Sequence, residues 1–450
     1  MKIRVILLII MFCIPFAFTS CDQKKKEKSS SKETKTLTIW QTETDPNAMK
    51  VLEDVISQLK GKYPYLDVNV ESIPWSDLNT ELQTAISKNS LPDITHLQPF
   101  MVYSFYAQNK LEPIDDIIEY LGKDDIYPSV RDLQKFDDRY YGIAYAIGTI
   151  NYSYRKDIAD KYNLSTPSNW EEYIDFISKL KNMDESRYGV SLPGGSAFFM
   201  QLLLSEFVAS NGGRLFDADG NPTFSEPKVL ETLKYFKKLS QNAPPDWTTD
   251  EYKDQYINLI NGRTASAPLT FARFTRQIEK DVEDKNLNNP ETFVVFEPPV
   301  GKSGTKGIST IDCENWSIFS SSDVKEEAKE FLKLFYKKEN YLRYSLSVPI
   351  HLTPILRSVA ESKDYINNPD INKWLPWHEL TVKLINEDRV KTLLVINDSD
   401  LELPFFLELQ GKNVLSDMIL DVTSGNKSPE DAAKDAEARA KAIIAKYKNR

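Results

Sequence analysis

The sequence predicts an α/β protein built from two lobes, and its length and the order of its elements are the observations behind this prediction. About 415 residues follow Thr36, which is too many for one simple hydrophobic core. At the start of this stretch, segments with strand periodicity alternate with segments of helical periodicity. This β-α-β-α-β order predicts a parallel sheet with right-handed crossovers.

The first strand, the first helix and the second strand follow from local signals. Residues 36–40, with the sequence TLTIW, indicate a short strand. Asp45 and Pro46 then start a helix, because an acidic N-cap and a proline in the first turn both favour a helix start. Residues 66–71 alternate apolar and polar side chains, which indicates a strand with one solvated face.

The second helix and the third strand complete the pattern and locate a rim. A helical stripe of apolar residues covers 78–86, and a strand begins at Ile94. Ligands of open α/β sheets bind beyond the carboxyl ends of the strands. We therefore expect the residues after Trp40 and those after Leu97 to lie together at one rim.

The rest of the chain contains a candidate crossing between lobes and several helices. Residues 140–155 are extended and aromatic, as expected of a segment that passes from one lobe to the other. Ser428, Pro429 and Asp431 form a helix start with a capping-box pattern. Helices are predicted at Trp170–Leu180, Pro227–Leu239, Asp323–Tyr336 and Ser428–Tyr447.

The amino terminus has the organisation of a secretory signal that ends at a cysteine. Lys2 and Arg4 precede an apolar run, 5–18, that is shorter than the roughly 20 residues needed to span a bilayer. The stretch from Phe18 to Cys21 resembles the lipobox of bacterial lipoproteins, with Phe18 where Leu is usual. We expect a signal peptide over 1–20 and a lipid on Cys21; the alternative is an ordinary signal peptide in which this cysteine is incidental.

A polar segment separates this cysteine from the globular part. Residues 22–35 contain six Lys and three Ser and no apolar side chain, so they cannot bury enough surface to offset the entropy of ordering. We therefore expect a disordered tether over 21–35. Its lysines either serve as a solvated spacer or lie near anionic lipid headgroups.

Charge and cysteine usage exclude several function classes. Loss of Lys2 and Arg4 with the signal lowers the net charge from −10 to −12, which disfavours nucleic-acid binding. Only Cys313 then remains as a free thiol, so a disulfide framework is not expected. The histidines are far apart in sequence and lack metal-binding spacing, so neither a metal site nor a cofactor is predicted.

Eight short motifs occur in a fixed order along the mature chain. They are Trp40 at the end of the first strand, Tyr63-Pro64, Leu91-Pro92-Asp93-Ile94, 110–116, 141–145, 154–157, Pro167 with Trp170-Glu171-Glu172, and 261–265. Together, behind a lipobox-like segment, they make the chain resemble the extracytoplasmic solute-binding proteins of ABC importers, specifically the group of family 1 type that binds sugars and oligosaccharides.

The sequence departs from that family's pattern near the expected ligand. Ala144 stands where the family usually has proline, and Glu314-Asn315 replaces a Gly-Gly pair before Trp316. Residues 266–268 occupy the place of a common methionine after Gly262. Because these differences fall on loops expected to face the ligand, they affect the identity of the ligand more than the fold.

The resemblance implies a type II periplasmic-binding-protein-like fold, in which each lobe is a mixed sheet flanked by helices and a hinge joins the lobes. By this analogy the chain crosses near Gly148, returns near Pro298 and crosses again near Tyr341. The implied domains are 36–147 plus 298–341 for lobe one and 148–297 plus 342–450 for lobe two.

The resemblance also implies a function without bond chemistry. The protein is expected to be a monomer outside the cytoplasm, anchored through its lipid to the membrane. It would capture a carbohydrate and deliver it to the transmembrane subunits of an ABC permease. Two alternatives remain: a surface glycoside hydrolase, which needs two carboxylates beside the scissile bond, and an adhesive lipoprotein.

Carbohydrate recognition requires aromatic faces that stack on the pyranose and planar polar groups that pair with its hydroxyls, since a buried hydroxyl without a partner costs roughly 1–3 kcal/mol. The resemblance places such side chains at the expected cleft, and we expect Trp40, Gln98, Phe271 and Trp316 to face one another. The full set of candidate ligand-binding residues is Trp40, Gln41, Glu43, Gln98, Tyr145, Trp247, Phe271, Arg273 and Trp316.

Overall fold

The computed structural model describes residues 34–75, 77–183, 187–270, 274, 275, 278, 289–391 and 405–448. The predicted signal peptide, Cys21 and nearly all of the predicted tether lie outside the described residues.

The described strands form two main sheets and a small hairpin. The strands are β1 (Lys35–Gln41), β2 (Leu66–Ser72), β3 (Ile94–Leu97), β4 (Lys135–Phe136), β5 (Arg139–Tyr140), β6 (Ile143–Thr149), β7 (Asn151–Arg155), β8 (Tyr188–Val190), β9 (Thr264–Thr270), β10 (Phe293–Phe296), β11 (Ser309–Ile318) and β12 (Val390–Lys391).

Helices cover the faces of these sheets. The first ten are α1 (Pro46–Lys62), α2 (Leu78–Lys88), α3 (Pro99–Tyr106), α4 (Asp115–Leu121), α5 (Pro128–Arg131), α6 (Lys156–Lys161), α7 (Trp170–Met183), α8 (Ala197–Ser210), α9 (Pro227–Ser240) and α10 (Tyr252–Ile260). The remaining helices are α11 (Lys325–Phe335), α12 (Lys338–Ser347), α13 (Arg357–Ala360), α14 (Lys363–Ile366), α15 (Pro369–Lys373), α16 (Leu375–Asn386), α17 (Phe406–Gly411), α18 (Val414–Thr423) and α19 (Pro429–Lys448).

The first sheet has the strand order β12-β11-β3-β1-β2, with β6 paired to β11. The strands β2, β1 and β3 are parallel, as the β-α-β-α-β pattern predicts. Strand β11 runs antiparallel to β3 and β6 and parallel to β12, so the sheet as a whole is mixed.

The second sheet has the order β10-β7-β9-β8. Its strands β8 and β9 are parallel, whereas β7 runs antiparallel to both β9 and β10. Both sheets are therefore mixed and carry flanking helices, which confirms the predicted fold class.

Local signals account for the helix starts that the sequence predicts. The Asp45 carboxylate accepts a hydrogen bond from the amide N–H of Asn47, and Pro46 occupies the first turn of α1. At the start of α19, the Ser428 hydroxyl accepts the amide N–H of Asp431 at 3.1 Å. Each contact satisfies an amide that would otherwise lack a partner at a helix start.

The first lobe has apolar cores on both faces of its sheet. One core contains Leu37 and Val55 together with residues of α11 and α12, such as Phe331 and Tyr341. A smaller core on the other face contains Trp40 with residues of α2 and α3, such as Leu82. This division follows from the alternation of side chains along β1.

The second lobe has its own core, built around the apolar helix α8. Phe207 and Phe236 are buried there with Tyr152 of β7. The carboxy-terminal helices α17, α18 and α19 contribute to the same core through residues such as Met418 and Ala440. The end of the chain therefore packs in the same core as α8.

The chain passes between the sheets at described positions. Ile147 packs in the first core and Ile150 in the second, so the first crossing lies between β6 and β7. The return lies between Phe296 of the second sheet and Ser309 of the first.

The segment after Tyr341 differs from the expected domain division. Tyr344, Leu352 and Leu356 fill the first core, and Val390 pairs with β11 in the first sheet. The chain therefore enters the second core only after Lys391, rather than near Tyr341. Large apolar side chains throughout α12 and the loop that follows cause this difference, because the first core is where they are buried.

A third cluster links elements of both halves of the structure. It contains Tyr256 of α10, Phe293 of β10 and Trp377 of α16, together with Ile350 from the loop after α12. Apolar surface from elements of both sheets is therefore buried together in this cluster.

The parallel strands of each sheet run toward the crossings between the lobes, so their carboxyl ends lie on that side. Thr149 pairs with Ile311 near the start of β11, and β3 runs toward that same end. In the second sheet, Asn151 pairs with Thr270 at the carboxyl end of β9. The loops that follow β1, β3 and β8 therefore lie where the two lobes meet.

We predict that Gly307→Ala destabilises the protein by about 1–3 kcal/mol, because its added Cβ would lie 1.7 Å from the carbonyl oxygen of Pro298. Gly61→Ala is the matched control, since a Cβ there meets no atom within 4 Å and alanine favours a helix. Scanning calorimetry of both variants measures the effect. Equal melting temperatures would contradict the tight packing of the return segment.

Candidate functional site

The carboxyl ends of β1 and β3 and the middle of the antiparallel strand β11 bring together a group of polar side chains. The amide of Thr42 donates to Nδ1 of His96 at 3.0 Å, and the Thr42 hydroxyl lies 3.2 Å from Oε2 of Glu314. These three residues come from distant parts of the chain and meet because β3 pairs with both β1 and β11. The predicted rim after Trp40 and Leu97 is thus confirmed.

The hydrogen bonds define the tautomer of His96. Because Nδ1 accepts the Thr42 amide, the proton of the neutral imidazole resides on Nε2. Burial lowers the pKa of His96 well below its ordinary value, so the ring stays neutral. Its Nε2 is buried without a hydrogen-bond partner among the described residues.

The Thr42 hydroxyl links this neutral imidazole to Glu314. Its oxygen lies 2.9 Å from His96 Nδ1 and 3.2 Å from Glu314 Oε2, but it carries a single hydrogen. When the Thr42 hydroxyl donates to Nδ1 of His96, its oxygen can only accept from Glu314, so the Glu314 carboxyl must carry a proton. When the hydroxyl donates to Glu314 instead, the carboxyl can be ionised.

The carboxyl group of Glu314 binds its proton more tightly than an ordinary glutamate does. Burial, together with the nearby negative charge of Glu43, raises the pKa of Glu314 to about 7, although the hydrogen bond with the Thr42 hydroxyl acts to lower it. The side chain nevertheless retains some exposed surface. Glu314 can therefore exchange a proton close to neutral pH.

Glu43 lies beside Glu314 and is held firmly by the loop after β1. It is 3% exposed, and its Oε1 accepts hydrogen bonds from the amides of Thr44 and Asp45, each at 2.8 Å. Its Oε2 lies 3.7 Å from Nε2 of His351. Backbone amides thus fix the orientation of this carboxylate.

A strained turn brings His351 close to Glu43. Ile350 has a φ of 67°, and the amide of His351 donates to the carbonyl of Pro349 at 2.8 Å, which is a γ-turn with positive φ at its centre. A β-branched residue rarely adopts this conformation. The buried Ile350 side chain and the hydrogen bond from Ile147 N–H to the Thr353 carbonyl oxygen hold the loop in place.

Aromatic rings surround the inner side of this group. His96 stacks on Tyr145 with ring centroids 4.2 Å apart, and the ring centroids of His96 and Trp316 are 3.9 Å apart. Tyr344 contacts Tyr145 edge to face at 5.9 Å. The structure therefore brings together the predicted residues Tyr145 and Trp316, although both are almost fully buried.

The two tryptophans expected to face one another occupy different cores. Trp40, 8% exposed, packs with the α2 and α3 residues, whereas Trp316, 0% exposed, packs with Phe331 and Phe335. Gln41 is buried and donates to the Ser72 hydroxyl at 2.5 Å. The expectation of a surface shared by Trp40 and Trp316 is corrected here, because side chains of β1 and β11 at these positions point to opposite faces of the sheet.

The remaining predicted residues lie in different settings. Gln98 is partly exposed at the start of α3, directly after β3. Trp247 is mostly buried beside Gly194, where a Cβ would lie 2.6 Å from its ring. Phe271 and Arg273 lie outside the described residues.

The second lobe contributes an aromatic platform made of Phe198, Phe199 and Tyr252. The ring centroids of Phe198 and Phe199 are 5.1 Å apart, and those of Phe199 and Tyr252 are 4.7 Å apart. All three side chains are partly exposed. The platform follows the carboxyl end of β8, on the side of the second sheet that faces the crossings.

Sequence reasoning missed Glu314, His96 and His351 as members of one group, and it missed the platform. For the group that contains Glu314, the available signal was the replacement of the family's Gly-Gly pair by Glu314-Asn315. For the platform, Gly194 and Gly195 before two phenylalanines were the signal, since both glycines allow close approach to 247–250.

The described part of the chain shows neither a metal-binding cluster nor a membrane-spanning helix. Among described residues, no group of three or more His, Cys, Asp or Glu side chains is arranged to hold a metal ion. In the same part of the chain, no helix combines the length and apolar character needed to cross a membrane.

Comparison with known proteins identifies the class. Residues 54–373 match the family model of bacterial extracellular solute-binding proteins, and the chain belongs to this family. This family consists of binding proteins that act outside the cytoplasm.

Individual relatives are distant but cover the chain. The chain is 22% identical over 416 residues to the putative ABC transporter periplasmic-binding protein YcjN of Escherichia coli K12, covering 91% of this chain and 93% of that protein. The maltotriose-binding protein of Pyrococcus abyssi is 23% identical over 348 residues, covering 74% of this chain and 69% of that protein.

A solved structure confirms the two-lobed fold. The maltose-bound MalE3 of T. maritima superposes with a TM-score of 0.74 at 17% identity, covering 91% of this chain and 100% of that chain.

We predict that the contribution of Glu314 to the stability of the folded protein falls as pH rises from about 4.5 to 7. Its pKa of about 7 in the folded state exceeds the ordinary value of 4.5, so the folded protein holds a proton that the unfolded chain releases. The loss is at most about 1.4 kcal/mol for each pH unit. In Glu314→Gln this contribution is absent, so the melting-temperature difference between the two proteins should change across that window. A difference that is constant from pH 4 to 9 would contradict the raised pKa.

Proposed function

We propose that this solute-binding protein captures a carbohydrate, such as an oligosaccharide or a sugar derivative, and delivers it to an ABC permease. The observation that carries the proposal is that one lobe holds a group of polar side chains at the ends of its parallel strands and the other lobe holds an aromatic platform after β8. Glu43, Gln98 and Glu314 supply planar polar groups, and the platform supplies rings for stacking. These are the two components that carbohydrate recognition requires.

The relatives support this choice of ligand. The maltotriose-binding protein of Pyrococcus abyssi and the maltose-bound T. maritima protein are named for sugars. Diacetylchitobiose binding protein DasA of Streptomyces coelicolor is also similar, at 25% identity over 328 residues. Binding would involve closure of the lobes around the ligand, a hinge motion in which few contacts need to break.

The proposal extends to how the protein reaches its permease. Cys21 would carry a lipid, and residues 21–35 would tether the lobes to the membrane outside the cytoplasm. A monomer on such a tether can present the bound sugar to transmembrane subunits. Transport, not bond cleavage, is the proposed outcome, so a bound glycan should be recovered intact.

We predict that binding of mono- and oligosaccharides raises the melting temperature of the full mature chain, and that calorimetry shows a single site. A sugar panel that gives no stabilisation, while another class of solute does, would contradict the proposed ligand. Release of cleavage products from a bound glycan would favour a hydrolase instead.

We also predict that Phe199→Ala and Tyr252→Ala each weaken binding of the sugar selected by this panel by about tenfold, since each removes part of the stacking surface, worth about 1.4 kcal/mol. Tyr120→Ala is the matched control, because Tyr120 is 57% exposed on α4 of the first lobe. Isothermal titration calorimetry measures the affinities. Unchanged affinity in both platform variants would show that the platform does not contact the bound sugar.

A further inference from the structure

The carboxyl group of Glu314 has no positively charged partner in the described part of the chain. Its one described hydrogen bond joins it to the Thr42 hydroxyl, and neither Lys nor Arg lies within ion-pair distance of it among described residues. A second carboxylate, Glu43, lies near enough for its charge to act on Glu314. Two acidic groups therefore converge on one rim of the first lobe.

A buried hydroxyl beside these carboxyls also lacks a partner. Tyr344 is 0% exposed, and its hydroxyl has no hydrogen-bond partner among the described residues. Burial raises the pKa of Tyr344 well above its ordinary value, and the charges of Glu43 and Glu314 raise it further, which places the hydroxyl within electrostatic reach of both. An unsatisfied buried hydroxyl costs roughly 1–3 kcal/mol, so a polar group that reaches it would be stabilised.

The second lobe also carries an acidic group beside its platform. Asp250 is mostly buried, and its backbone carbonyl accepts the amide of Gly195 at 2.9 Å. Burial raises the pKa of Asp250, and the charges of Asp246 and Asp254 raise it further, although Arg263 opposes them. A carboxyl group with a raised pKa therefore belongs to each lobe.

We propose that the site prefers carbohydrates that carry a protonated amine, with Glu314 as the group that receives the ammonium. This inference rests on the proposed function and names the class of sugar. An ammonium donates up to three hydrogen bonds and supplies the positive charge that Glu314 lacks. A neutral sugar offers only hydroxyl groups at the same position.

Binding of the ammonium is coupled to loss of a proton. The free protein keeps the proton on Glu314 because a second negative charge beside Glu43 is unfavourable. When the ammonium arrives, the Glu314 O–H bond breaks and the proton leaves to the solvent. The Thr42 hydroxyl then turns from His96 toward Glu314 and donates to the new carboxylate.

The groups that face Glu314 come from every element packed against it. Glu43 after β1 and Tyr344 on α12 lie within electrostatic reach of Glu314, the Thr42 hydroxyl joins it to His96 on β3, and His351 in the γ-turn lies 3.7 Å from Glu43. His96 is neutral and Tyr344 holds its proton, since burial lowers the pKa of His96 and raises that of Tyr344. Glu314, whose pKa is raised to about 7, is the group in this set that we expect to release the proton.

Matched sugars test the inference. Glucosamine and chitobiose are compared with their N-acetylated forms and with glucose and cellobiose, by isothermal titration calorimetry of the mature protein at pH 6. At this pH Glu314 is mainly protonated. We expect the amine forms to bind at least about tenfold more tightly than the neutral forms. Repeating the titrations in two buffers of different ionisation enthalpy should show release of nearly one proton with the amine forms and none with the others.

Two variants identify the responsible group. Glu314→Gln keeps the size and the contact with Thr42 but cannot ionise, so it should lose both the preference for amines and the proton release. Glu119→Gln removes one exposed negative charge on α4 and should keep both. A general effect of net charge would instead alter the two variants equally, and that result would overturn the inference.

The outcomes separate this inference from the proposed function. Equal or tighter binding of the neutral sugars overturns the inference and leaves carbohydrate capture intact. If neither the amine forms nor the neutral forms bind, carbohydrate capture is overturned and the inference falls with it.

Discussion

Strand β11 is the element on which the first lobe depends, because it pairs with strands from three separate parts of the chain. It bonds to β3 from the amino-terminal sheet, to β6 at the first crossing and to β12 near the carboxy-terminal side. Each pairing satisfies backbone amides and carbonyls that would be costly to bury without partners. The strand also carries Glu314 and Trp316, so the same hydrogen bonds that close the sheet position the polar group.

The site combines rigid support with groups that can change state. Glu43 is fixed by two backbone amides, and the turn at Ile350 is held by buried contacts despite its unfavourable backbone conformation. Between them, the Thr42 hydroxyl can serve either His96 or Glu314. A site of this kind has fixed geometry but an adjustable distribution of protons, which suits a protein that binds and releases a solute.

The two lobes contribute different chemistry because their sheets present different loops. On the first lobe, the rim follows β1 and β3 and is rich in groups that form directed hydrogen bonds. On the second lobe, the loop after β8 leads into α8, and the paired glycines before it allow Phe198 and Phe199 to lie beside Tyr252. In the proposed function, closure of the lobes would bring the polar group of one and the aromatic platform of the other to a single solute.

The sequence by itself determined the first five elements in their order and several of the later helices. Apolar periodicity, the Asp45-Pro46 start and the Ser428 start depend on neighbouring residues, and the structure has them at the predicted positions. The rim after Trp40 and Leu97 was also predictable, since parallel strands end at one edge. Tertiary structure alone decided that Thr42 meets Glu314, 272 residues away, and that Trp40 and Trp316 occupy opposite faces of the sheet. These relations depend on the pairing and register of β11, which arise from the packing of the whole lobe and leave no local pattern in the chain.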